Sequence, residues 1–216
     1  MKSALNDEEK KALDRHIAEA EKRTSAQIVL AVVGRSDAYP DLPWKAFALG
    51  SSLAALAAFL AALLQPPISA VGATLLTLVL ILAAGAGMAL LCIFAPAISR
   101  LFLSLHRAEA ETRQYAQALF LSRQLFATPE RRAVLLLVSL FERRIVVLPD
   151  IGLAGRLHAD ATKGMIDGLR PFLKTGRLAQ ALEAGLDRLE TLIRAEGTPP
   201  SPGGGLSNAI IEEQGE

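Results

Sequence analysis

The sequence predicts an α/β fold, a small αβα sandwich with a mixed sheet, interrupted by a two-helix transmembrane hairpin. Three observations predict it. Residues 46–99 contain no Asp, Glu, Lys, Arg or His, in a chain of 216 residues that is 51% hydrophobic with mean hydropathy +0.34. Short β-branched runs lie on both sides of that block, and amphipathic segments of helical period flank the runs. The block needs a non-aqueous solvent, whereas its flanks are ordinary globular sequence.

The elements follow in order. Asn6 with Glu9 three residues later has the form of a capping box, and Leu13, Ile17 and Ala20 make one apolar face, so a helix of about four turns runs to Arg23. Thr24-Ser25 breaks it. The run QIVLAVV at 27–33, bounded by Gly34, reads as a strand buried on both faces. Residues 44–64 and 68–94 each supply the ~20 apolar residues a membrane-crossing helix needs. Gln65-Pro66-Pro67 between them cannot continue a helix, because each proline lacks an N–H and disfavours helix in its predecessor. Small residues along both spans (Gly50, Ser51, Ala54; Gly85, Gly87, Ala89) permit close packing.

Beyond the block, residues 100–125 read as one long helix continuing out of the second span, stopped by Thr128-Pro129-Glu130. AVLLLVSL at 133–140 and RRIVVL at 143–148 make two antiparallel strands joined by the two residues Phe141-Glu142. Helices are expected over 159–173 and 178–194, with a turn at Lys174-Thr175-Gly176. TPPSPGGG at 198–205 is expected to be a flexible linker, and the last residues a loosely held tail. The expected domains are therefore 1–43 with 100–197 as one discontinuous α/β domain, 44–99 as the inserted hairpin, and 198–216 as a flexible C-terminal tail.

Charge sets the expected orientation. Lys45 flanks the first span and Arg100, Arg107 and Arg113 follow the second, while the connecting turn carries no charge. The positive-inside rule then places both termini and the α/β domain in the cytoplasm, as for a protein of the bacterial inner membrane. A balance of 23 Lys and Arg against 22 Asp and Glu leaves no field to attract nucleic acid. Cys92, the only cysteine, permits no intrachain disulfide and no thiolate metal site. No ionisable residue is expected mid-membrane to serve a transport pathway. A nucleophile elbow, a Cys/His pair, a phosphate loop and zinc-type spacing are all missing from the sequence.

Topology gathers residues at two ends of the sheet. A crossover between the first two strands makes them parallel. One end then collects Thr24, Ser25 and Gln27, Thr128, Glu130, Arg131 and Arg132, and Asp150 and Gly152; of these Thr24, Gln27, Thr128, Glu130 and Asp150 make a candidate ligand or metal edge. The opposite end collects Arg35, Arg143 and Arg144, candidate contacts for anionic lipid headgroups. Each has a plainer reading: Asp150 as a turn former before Gly152, Glu130 as a solvated loop charge, Thr24 and Thr128 as cap or turn residues, His16, His106 and His158 as isolated histidines.

The same residues carry a family resemblance. Arg23-Thr24-Ser25-Ala26-Gln27-Ile28-Val29 resembles the R-T-S-G-E-I-V opening of the TPM domain, and ERRAVLLLVSLFERRIVVLPDIGL from Glu130 to Leu153 is similar to that family's R-T-G-V-L-I-F-V-S-L-x-E-R block ending in D-x-G-I. Residues 174–184, with Gly176-Arg177, resemble the stretch that follows. The resemblance spans roughly residues 12–195, and it implies the α/β fold, with membrane-embedded bacterial versions carrying an inserted hairpin. It also implies two activities described for some members, acid phosphatase action and binding of a divalent cation, here calcium or magnesium, through acidic residues. This chain departs from the pattern at Gln27, where the motif has Glu, at Ala26, and at Arg132-Ala133 in place of Thr-Gly. Losing the carboxylate at 27 leaves Glu130 and Asp150, with Asp160 or His158 as the nearest additions, and two carboxylates hold a hard cation weakly.

The expected function is accordingly a membrane-anchored module that binds a ligand or protein partner, with no residue assigned a catalytic role and no cofactor required. A weak metal-dependent acid phosphatase is the alternative, and a membrane scaffold recruiting a partner through its tail is the third. Membrane lipids are expected partners and nucleic acid is not.

Overall fold

A computed structural model describes residues 5–64, 71–194 and 210–213. The described residues form two compact units, one from those within 1–37 and 109–216 and the other from those within 38–108. The expected turn at 65–67 and the linker at 198–205 lie outside the described residues.

The first unit opens with helix α1, Asp7–Thr24. Its start is the capping box the sequence predicts: Glu9 N donates to Asn6 Oδ1 at 2.7 Å and Asn6 N donates to Glu9 Oε2 at 2.8 Å. Its end is a left-handed cap at Ser25 (φ 51°), whose N–H donates to Glu21 O. Strand β1, Gln27–Val33, is buried at every residue. It pairs in parallel with β2, Ala133–Ser139, which pairs antiparallel with β3, Arg144–Pro149. The helices α6 (Ala159–Lys174) and α7 (Leu178–Arg194) end the α/β core, and Gly176 (φ 73°) turns the chain between them.

The sheet separates two apolar layers. Ile28, Leu30, Val32, Val134, Leu136 and Val138 pack with Leu13 and Ile17 of α1, Met165 of α6 and Leu182, Leu186 and Leu189 of α7. The alternate residues Val29, Ala31, Val33, Leu135 and Leu137 pack with Ala116, Leu119 and Phe120 of α5, whose range is Leu105–Ser122. Strand alternation thus sends successive side chains to opposite helical layers, giving the αβα sandwich.

Three expectations are corrected. The expected single helix over 100–125 is two helices. Helix α4 is Pro96–Phe102, and Leu103 is extended (φ −86°, ψ 117°) before α5 begins. Pro96 also separates α4 from the preceding helix, since a proline supplies no N–H to continue the ladder. The hairpin between β2 and β3 is longer than two residues: Ser139 pairs with Arg144, leaving Leu140, Phe141, Glu142 and Arg143 in the turn, with Arg143 left-handed at φ 53°. The physical reason is Glu142, whose carboxylate turns inward to accept from Ser36 N (2.8 Å) and from Ser139 Oγ. Finally, part of the expected loose tail is a strand. β4, Ile211–Glu213, pairs in parallel with Ala31–Val33 of β1, giving the sheet order β3-β2-β1-β4.

In the second unit, α2 (Asp41–Leu64) and α3 (Val71–Phe94) are long and apolar enough to cross a membrane. They pack through small residues. A Cβ on Gly50 would lie 2.9 Å from Ala84 O and 2.9 Å from Met88 Cβ, and one on Gly85 would overlap Ser51 Oγ and lie 2.9 Å from the Phe47 ring. Leu53, Leu56, Phe59, Leu76 and Leu80 remain exposed on these two helices.

Candidate functional site

The candidate edge forms where β1 and β2 begin and β3 ends. Gln27 N donates to Arg132 O at 2.8 Å and Asp150 N donates to Ala133 O at 2.8 Å, which ties the three strand termini together. Thr24, Gln27, Thr128, Glu130 and Asp150 are thereby brought to one end of the sheet, but each polar group is already engaged or solvated. Thr24 Oγ1 donates to Ala20 O and Thr128 Oγ1 donates to Leu125 O. Gln27 Nε2 donates to Glu21 Oε1 at 2.8 Å, and Ile28 N donates to the same oxygen. The Glu130 side chain is 64% exposed, 3.8 Å from Arg132 Nη1.

Asp150 is the buried carboxylate of the group, and its oxygens are committed. Arg131 Nε donates to Oδ2 at 2.8 Å, Arg131 Nη2 donates to Oδ1 at 2.9 Å, and Ile151 N donates to Oδ1 at 2.8 Å. This two-point fork holds the Asp150 carboxyl below the usual aspartate range. The Arg131 hydrogen bond is the largest cause, partly opposed by burial. The geometry depends on backbone: Glu130 (φ 57°) and Arg131 (φ 55°) are consecutive left-handed residues without being glycine. Such residues persist only where the surroundings over-determine them. Gly152 makes room for them, because a Cβ at that position would overlap Glu130 O and lie 2.8 Å from Arg131 O.

Sequence reasoning placed Arg131 and Arg132 at this edge without giving them a role, and missed Glu21. Glu21 reaches Gln27 and Ile28 from the last turn of α1, and Arg131 occupies Asp150. Arg132, 8% exposed, sends Nη2 to Thr24 O at 2.8 Å. The only sequence signal for them was their position beside residues already singled out. His158 and Asp160, offered as additions to the edge, are exposed at the start of α6. His16 pairs with Asp187 of α7 at 3.1 Å, away from the edge residues in the fold.

At the opposite end of the sheet Leu140 N donates to Val33 O and Phe141 N donates to Gly34 O, so Arg35, Arg143 and Arg144 do gather there. The Arg35 guanidinium lies 4.2 Å from the Phe141 ring centroid, a cation–π contact. Beneath it Ser36, Thr112, Ser139 and Glu142 form a buried polar cluster, with Ser36 Oγ 3.2 Å from Ser139 Oγ and 3.4 Å from Thr112 Oγ1. In the second unit, two cations counted as span flanks share one carboxylate: Asp41 lies 2.7 Å from both Lys45 Nζ and Arg107 Nη1. The signal for the first pair was its i, i+4 spacing.

A divalent cation would need several free oxygen ligands. The edge as arranged does not fit one, because a guanidinium holds both oxygens of Asp150 and leaves, of the two candidate carboxylates, only the solvent-exposed Glu130.

Comparison with known proteins finds a family-model match over part of the chain and a likeness of fold. The TPM domain profile matches residues 100–192. It omits α1 and β1, which the structure places in the same unit as most of the matched residues. A solved structure, the NMR structure of BA42 protein from the psychrophilic bacterium Bizionia argentinensis, is similar over 98% of this chain and 97% of that one, with TM-score 0.57 and 15% identity. That likeness concerns fold alone. No curated protein matches the chain in sequence.

Proposed function

We propose that this chain, which carries a TPM domain over residues 100–192, is a membrane-anchored module whose α/β unit binds a protein partner or ligand without catalysis of its own. The observation that carries this reading is the fork between Arg131 and Asp150. It turns the best-buried carboxylate of the edge into a fastener for the loop after α5, and so leaves little from which to build a hydrolytic centre. Two long apolar helices supply the anchor, and the positive-inside rule puts both termini and the α/β unit on the cytoplasmic side of a bacterial inner membrane. Arg35, Arg143 and Arg144 are the residues proposed to meet anionic headgroups, since β1 ends only a few residues before α2 in the sequence.

The competing reading is a phosphatase in which Asp150 and Glu130 hold calcium or magnesium. Calorimetric titration of the full protein in detergent with each ion, paired with hydrolysis of a generic phosphomonoester, separates the two. The binding-module reading expects no heat at micromolar ion and no ion-dependent hydrolysis. Micromolar binding with hydrolysis that disappears in Asp150→Asn would replace it with the phosphatase.

A further inference from the structure

Part of the edge of β1 away from β2 is covered by β4. β4 pairs with only three of the seven residues of β1, Ala31–Val33. It reaches them after residues 195–209, a stretch that includes TPPSPGGG. The strand is read side chain by side chain. Ile211, buried, enters the apolar layer beside Val29, Ala31 and Val33. Ile210 packs against the opposite layer. Glu212 is held at both oxygens, with Leu5 N donating to Oε1 at 2.9 Å and Lys10 Nζ 2.7 Å from Oε2. Leu5 directly precedes the Asn6 cap of α1, so a carboxylate here also meets the positive end of that helix.

A parallel strand whose main chain pairs with an edge, whose alternate side chains enter two apolar layers, and whose acid is fixed by a backbone N–H and a lysine has the features of strand-addition recognition. An edge strand left open is a template for pairing with another chain. We propose that the β1 edge is a docking groove for an extended peptide with two apolar residues followed by glutamate, and that β4 is a plug of the same chemistry which fills it in cis. A partner carrying such a segment displaces the plug. A tethered plug acts at an effective concentration set by its tether, so a partner displaces it by binding more tightly or by exceeding that concentration.

The test uses the full chain in detergent micelles and a fluorescent nonapeptide of residues 208–216, NAIIEEQGE, with anisotropy as the readout. The chain variant Glu212→Lys sets a lysine against Lys10 and weakens the plug. It is expected to bind the peptide about tenfold more tightly than the unmodified chain does, the scale set by one charge-assisted hydrogen bond. A peptide with lysine at the Glu212 position is expected to lose binding. The chain variant Lys10→Glu, a change at a partly exposed side chain of α1, is expected to reverse the preference between the two peptides. Equal binding of both peptides, or no gain in Glu212→Lys with the thermal transition of the chain intact, would overturn the proposal.

Discussion

Asp150 carries the sharpest consequence of a single residue. Its carboxyl is held below the usual range chiefly by Arg131, so the folded protein keeps the ionised form at acidities where an unfolded chain has begun to bind a proton. That stabilisation is complete above the unfolded aspartate value near ~4 and is lost as pH falls through the lowered folded value. Asp150→Asn keeps an acceptor for Ile151 N but removes the charge. We expect the variant to be less stable than the unmodified chain at neutral pH, with the difference shrinking below about pH 4. Denaturant titrations followed by circular dichroism at the two pH values check this, and a pH-independent difference would contradict the ion pair's role. How Asp150 is used was not legible in the sequence. An Asp before Ile-Gly reads as a turn former, but its partner depends on two left-handed residues at 130 and 131, for whose carbonyls Gly152 leaves room from another loop. Glu21 was hidden for the same reason, since only the left-handed cap at Ser25 sends the chain back past it.

At the scale of elements, those with strong period and local stop signals matched their reading. α1 has a capping box at one end, β1 an unbroken apolar run, and α7 one apolar face. Boundaries that rest on distant partners did not match. The β2–β3 turn is four residues because Glu142 folds inward to Ser36, more than a hundred residues earlier. The helix after the second span breaks because Leu103 is extended. The packed pair α2 and α3 gives a direct prediction. Gly85 faces Ser51 and Phe47, whereas nothing lies within 4 Å of a Cβ at Gly87. Gly85→Leu is expected to lower the thermal transition of the protein in micelles and Gly87→Leu to leave it nearly unchanged, because only the first forces the helices apart. Equal effects of the two would mean that the helices do not meet through Gly85.

For the whole molecule, the anchor reading expects the full chain to stay in the membrane fraction through alkaline carbonate extraction. It also expects a protease added outside spheroplasts to spare both termini, because cations cluster at the ends of the two apolar helices away from their connection. Release by carbonate would remove the anchor, and cleavage of a terminal tag would invert the orientation.

By itself the sequence determined what depends on neighbours along the chain: the helical and strand periods, the caps, the uncharged block of two long apolar helices, and the parallel crossover that brings distant segments to the same ends of a sheet. Those signals are local because they arise from backbone propensity and from apolar residues repeating on one face. The tertiary structure decided which partner each polar group takes. Arg131 closes on Asp150, Glu142 on Ser36, and the C-terminal Glu212 on Lys10 and the start of α1. Each of these contacts joins residues far apart in sequence. Such contacts form only once the apolar layers have fixed the distance between them, so no pattern of residues along the chain announces them.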